Sequence, residues 1–131
     1  MLGSLLQQGR HSLTPAIIHQ VLKEARTIIA DRQRRLRGLE AVTADGRECD
    51  PCGGEARRFC AVGALIHAAY ELTGDRENAQ SLGWQVAGMV ADAAKLPRLA
   101  DRGWSLALLS DTRGQGAVLR AIDALIVQRR I

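Results

Sequence analysis

The residues with the most chemical potential are three thiols and an imidazole: Cys49-x-x-Cys52, Cys60 and His67. Thiolates and imidazole are zinc ligands, and a CxxC loop is a familiar half-site. Cys60 and His67 lie seven residues apart, which separates them by about 10 Å along a helix. Two ligands each held at roughly 2.0–2.3 Å from one zinc cannot span that gap. A zinc site would therefore need Cys49, Cys52, Cys60 and a fourth ligand such as His11 or His19. The CxxC pair also invites a redox reading, but Gly53-Gly54 follow it where a helix N-terminus would lower a thiol pKa. Cys60 has a third possible use, as a nucleophile in the first turn of a helix beside Arg57 and Arg58. The same seven-residue separation makes His67 a poor base for it. The plainer reading is three unpaired thiols with Cys60 packed in the core, and it calls for no metal or other cofactor.

A second candidate is the basic cluster Arg32, Arg34, Arg35 and Arg37. Cations there complement a helix C-terminus without any partner. No aromatic residues are interleaved for base stacking, and the next helix begins too late for a helix-turn-helix. Nucleic-acid binding is disfavoured. A third candidate is Ser110-Asp111-Thr112, between an apolar run and a helix start. It reads either as a helix cap or as a polar site.

These groups need elements to carry them. Arg57 to Leu72 predicts a helix that is apolar nearly all round, and such a helix is normally enclosed by others. Thr14-Pro15 starts an earlier helix that the spacing of Ile17, Ile18, Val21, Leu22, Ala25, Ile28 and Ile29 carries to about Arg35. Gly38 to Gly54 reads as a loop, although Val42 and Thr43 are compatible with a short hairpin about Asp45-Gly46. A third helix is expected from Arg76 to Lys95, slightly weakened by Gly83 and Gly88. A short helix is expected within Arg98 to Ser110 after the stop at Pro97. A last helix follows the capping-box spacing of Thr112 and Gln115. The expected fold is all-α: a single domain over residues 1–131, with about four main helices around a buried central one. Residues 1–12 form a tail or docking turn.

Composition agrees with one ordinary domain. Of 131 residues, 47% are hydrophobic and 24% charged, so a core large enough to fold without disulfide or metal is available. Aromatics are only 3%, which leaves the core to Leu, Ile, Val and Ala. The net charge of +4 is a mild excess and points to no particular acidic partner. The first ten residues lack the pattern of an export signal, and the longest uncharged apolar run, Phe59 to Tyr70, is too short to span a bilayer. Free thiols in a reducing cytoplasm are the expectation, with no membrane association.

Phe59-Cys60-Ala61-Val62-Gly63-Ala64-Leu65, preceded by Cys49-Asp50-Pro51 and followed by Leu108-Leu109-Ser110-Asp111, resembles a family of small bacterial and phage proteins of unknown function. The resemblance spans about Ile17 to Ile126 and implies no substrate, cofactor or catalytic residue. The family usually has Trp where this chain has Phe59, and Asn-Asp where it has Ser110-Asp111; Cys52 is an addition to the pattern. The resemblance implies one further cluster, in which Cys49, Asp50, Cys60 and Asp111 converge.

No residue pair in the chain requires a reaction, so the sequence leans away from an enzyme. The leading expectation is a small helical protein that binds another protein or a second copy of itself. A cysteine-dependent enzyme using Cys60 is the alternative, and binding of nucleic acid through Arg32 to Arg37 comes third.

Overall fold

The computed structural model describes residues 14–95, 106 and 114–128. Outside them lie the expected tail, His11, Pro97, the Ser110-Asp111-Thr112 segment and all but one residue of the short helix expected before it. That one residue, Leu106, is helical and fully buried.

The fold is all-α, a bundle around a buried central helix. Helix α1 spans Pro15–Ala30, and the Thr14 hydroxyl accepts the Ile17 N–H at 3.2 Å as its N-cap. Its buried stripe is Ile18, Val21, Leu22, Ala25, Ile28 and Ile29. The helix stops at Ala30 rather than continuing to Arg35. Asp31 turns to an extended conformation, its N–H bonds to the Ile28 carbonyl, and its carboxylate accepts from the Gln33 N–H. This opens a single 3₁₀ turn, Arg32–Arg34. A side chain that satisfies its own neighbouring backbone competes with helix propagation.

Ala41–Val42 (β1) and Arg58–Phe59 (β2) pair antiparallel, with Ala41 opposite Phe59 and Val42 opposite Arg58. Between them the hairpin about Asp45-Gly46 does form. Thr43 donates its N–H to Arg47, Gly46 donates back to Thr43 at a φ of +90°, and Val42 bridges Glu48. Arg57 to Phe59 are thus not the start of the central helix, as their apolar pattern predicts. Backbone pairing with β1 takes them, and Phe59 is buried through this ribbon.

Helix α2, Ala61–Thr73, is the central element, enclosed on most of its circumference. Gly74, in the left-handed region at φ +69°, ends it, and Asp75 caps α3, Arg76–Ala93. The α2–α3 contact is unusually close. A Cβ on Gly83 would lie 2.5 Å from Ile66 Cγ1 and 2.8 Å from its Cα. The glycine that intrinsic propensity counts against α3 is what lets it seat on α2. Helix α4, Gln115–Gln128, packs on α3 and α1 through Val118, Ala121, Ile122 and Leu125. It is tied to α1 by Arg26, which donates to both oxygens of Asp123 at 2.5 and 3.0 Å. No helix among the described residues is long and apolar enough to cross a membrane.

Candidate functional site

Cys60 sits at the point where β2 becomes α2. Its N–H bonds to the Glu40 carbonyl at 3.2 Å, and its Sγ accepts the Gly63 N–H at 3.3 Å. It is therefore the N-cap of α2 rather than a residue of its first turn, and it is 8% exposed. Gly63 faces the same carbonyl so closely that a Cβ there would fall 1.9 Å from Glu40 O. Phe59, Ala61, Ala64 and Leu65 are fully buried around this contact. All seven residues of the Phe-Cys-Ala-Val-Gly-Ala-Leu run are thus buried, and packing accounts for them. Neither hydrogen-bonding contact of His67 is made to Cys60.

The loop carrying Cys49 and Cys52 is folded on Asp50. One Asp50 oxygen accepts the Cys52 N–H at 2.8 Å, and the other pairs with Arg76 at the start of α3. The Asp50 carbonyl accepts from Gly53. Burial pushes the Cys52 thiol up to about 12, with the Asp50 carboxylate adding to the effect. Cys49 is also raised, by burial first and then by Glu55 and Asp50. Both thiols are held protonated, the form that neither attacks nor ligates. Glu40, beside them, is raised by burial and by the nearby Asp50 and Glu48.

Cys49 and Cys60 flank β1 on its two edges: their N–H groups bond to the Ala41 and Glu40 carbonyls, which point to opposite sides of the strand. Among the described residues no three His, Cys, Asp or Glu side chains converge closely enough to hold a metal ion. The Cys49, Cys52 and Cys60 set does not form such a group. Asp111, the fourth member of the implied cluster, lies outside the described residues.

The arginines are not gathered into one patch. Arg34 is half-buried with its guanidinium carbon 5.6 Å from the Phe59 ring centroid, and Arg35 donates from Nε to the Ile29 carbonyl at 2.9 Å. Arg32 and Arg37 point to solvent. The cluster follows α1 instead of forming its last turn. Half of it stabilises the chain reversal through a cation–π contact and a carbonyl cap.

A cleft of about 470 Å³ lies between α1 and α2. Glu24 and Gln20 stand on the α1 wall, and His67 and Glu71 on the α2 wall. Ile28, Ala68 and Leu72 supply apolar lining, and Arg34 lines it too. His67 is fixed on three sides. Its Nδ1 lies 2.7 Å from the Pro51 carbonyl, its Nε2 lies 3.2 Å from Glu71 Oε1, and its ring is tilted against Phe59 at 4.7 Å. In the sequence His67 stands out only as a partner for cysteine, and Glu24 and Glu71 do not stand out. One signal was present: His67 and Glu71 are four residues apart, hence on one face of a helix. The Glu24 side of the cleft had no such signal, because it depends on how α1 lies against α2.

A family model described as a family of unknown function (DUF6197) matches residues 13–128. No curated protein and no solved structure matches the chain.

Proposed function

The chain belongs to that family of unknown function, DUF6197, and we propose that it is a binding protein whose docking site is the cleft between α1 and α2, occupied by a basic side chain of a protein partner. The observation that carries this reading is the composition of the cleft: two carboxylates, Glu24 and Glu71, on facing walls above an apolar lining. A lysine or arginine lays its methylene stem on such a surface and its charge against the carboxylates. Arg34 does not oppose this strongly, since its guanidinium is stacked toward Phe59. A volume of about 470 Å³ exceeds what one side chain needs, so neighbouring residues of the partner enter as well. The partner is another protein or a second copy of this chain.

The protonated thiols of Cys49 and Cys52, and a His67 bonded away from Cys60, lend no support to cysteine-dependent catalysis.

A photo-cross-linking amino acid placed at Gln20, in the full chain in its own cells, tests the proposal. The expected result is a discrete protein adduct that disappears when Glu24 and Glu71 are both changed to Lys; an adduct of twice the chain mass identifies a second copy. No adduct from Gln20, or the same adducts from the exposed Val127 on α4, overturns it.

A further inference from the structure

His67 faces two oxygen acceptors. The Pro51 carbonyl accepts only, so the nitrogen 2.7 Å away, Nδ1, carries a proton. Glu71 is an acceptor when ionised, and it lies 3.2 Å from Nε2. A neutral imidazole has one N–H and satisfies one of the two. The doubly protonated ring satisfies both.

We propose that His67 is a proton-operated latch between the cysteine loop and the mouth of the cleft, an inference that rests on the cleft being the docking site. Protonated, the ring donates to Pro51 from Nδ1 and to Glu71 from Nε2, so Glu71 is held on its own helix and its charge is neutralised. Neutral, the ring keeps the shorter bond to Pro51, because that carbonyl belongs to a loop already anchored by Asp50 and Arg76. The Nε2 lone pair then repels the Glu71 carboxylate, whose side chain is 64% exposed and turns readily to water. Loss of the ring proton thus frees a carboxylate into the cleft, where it joins Glu24 in attracting a cation. Histidine is the side chain suited to this change between pH 5 and 8.

The other groups around the ring leave this logic in place. On its own helix the charged neighbour is Glu71. From the loop come the Pro51 carbonyl and, behind it, Asp50 paired with Arg76 of α3 and the protonated Cys52. From β2 comes the Phe59 ring, with Arg34 on it, and from α1 comes Glu24 across the cleft. Arg34 is the one fixed cation among the groups lining the cleft with His67, and Glu24 and Glu71 outnumber it.

Nuclear magnetic resonance of the purified full chain, with ¹⁵N-labelled histidine and ¹³C-labelled glutamate, tests the latch without any partner. Two-bond ¹H–¹⁵N correlations report which ring nitrogen is protonated, and the carboxyl ¹³C shift of Glu71 reports its surroundings. The expected result is protonation at both nitrogens at pH 5 and an Nδ1–H tautomer at pH 8. The Glu71 carboxyl shift moves through the same midpoint as the His67 ring. In the Glu71→Gln variant the Nδ1–H tautomer at pH 8 persists. An Nε2–H tautomer at pH 8, or a Glu71 carboxyl shift that ignores the His67 titration, overturns the latch. Neither of those outcomes touches cross-linking from Gln20, so failure of the latch and failure of the docking site are separable.

Discussion

The two halves of α2 do different work. From Ala61 to Ile66 every residue is buried, and the Gly63 backbone rests on the carbonyl of Glu40. From His67 to Leu72 the helix alternates buried alanines with His67, Tyr70, Glu71 and Leu72, which are partly or well exposed. The run that marks the family resemblance lies at the enclosed end. The groups able to meet a partner lie at the open end, outside that run. The Phe59 to Leu65 run is therefore accounted for by how the helix is seated, and the proposed docking site lies outside it.

Substitutions sharpen that contrast. The largest effect is expected from Gly63→Ala, whose new Cβ meets a backbone carbonyl that cannot move aside. A loss of roughly 3 kcal/mol or more in urea unfolding is expected, and a near-neutral result would dissolve the distinction between the two halves. Next, iodoacetamide at neutral pH should label Cys52 in the folded chain at least about a hundred-fold more slowly than in urea, since burial holds its thiol protonated. Rapid native labelling, read by mass spectrometry, would return reactivity to the enclosed region. Cys60→Ala removes the sulfur that accepts the Gly63 N–H, and about 1 kcal/mol of stability should go with it. Cys60→Ser, which restores an acceptor, should recover part of that loss.

A smaller, pH-dependent effect is expected at Glu40. Its folded-state pKa is raised, by burial first, so the native state binds the proton more tightly than the unfolded one. Its contribution to stability is then present below the unfolded value and is lost as pH rises through the folded one. Glu40→Gln should accordingly be more stable than the parent at pH 7 and lose that advantage by about pH 3–4. Thermal melts at the two pH values provide the check. The smallest stability change belongs to the open end: Glu24→Gln with Glu71→Gln should stay within about 0.5 kcal/mol while abolishing the cross-link from Gln20. A double variant that unfolds would place these carboxylates with the packing residues instead.

Much of the fold was legible because burial writes itself into spacing. The isoleucines and valine of α1 recur with helical period, Thr14-Pro15 signals its start, and Gly74 its partner's end. The errors fall where local hydrogen bonds compete with periodicity. Asp31 stops α1 before the arginines by capping the next turn, and β1 takes Arg57 to Phe59 from the helix they resemble. The candidate site was less legible. Thiols drew notice because cysteine chemistry is distinctive, yet packing around Cys60 and desolvation of Cys52 are properties of their surroundings. Glu24 drew none, since an exposed glutamate on an amphipathic helix has no feature that sets it apart.

The helical bundle with its enclosed central helix is written in the amino-acid order, because apolar periodicity and small residues dictate which faces must be hidden from water. Tertiary packing alone makes Gly63 and Gly83 contact points and Cys60 a cap, and puts Glu24, His67 and Glu71 in the lining of one cleft. Those outcomes depend on the distance between segments remote in the chain, and no pattern within one segment encodes it.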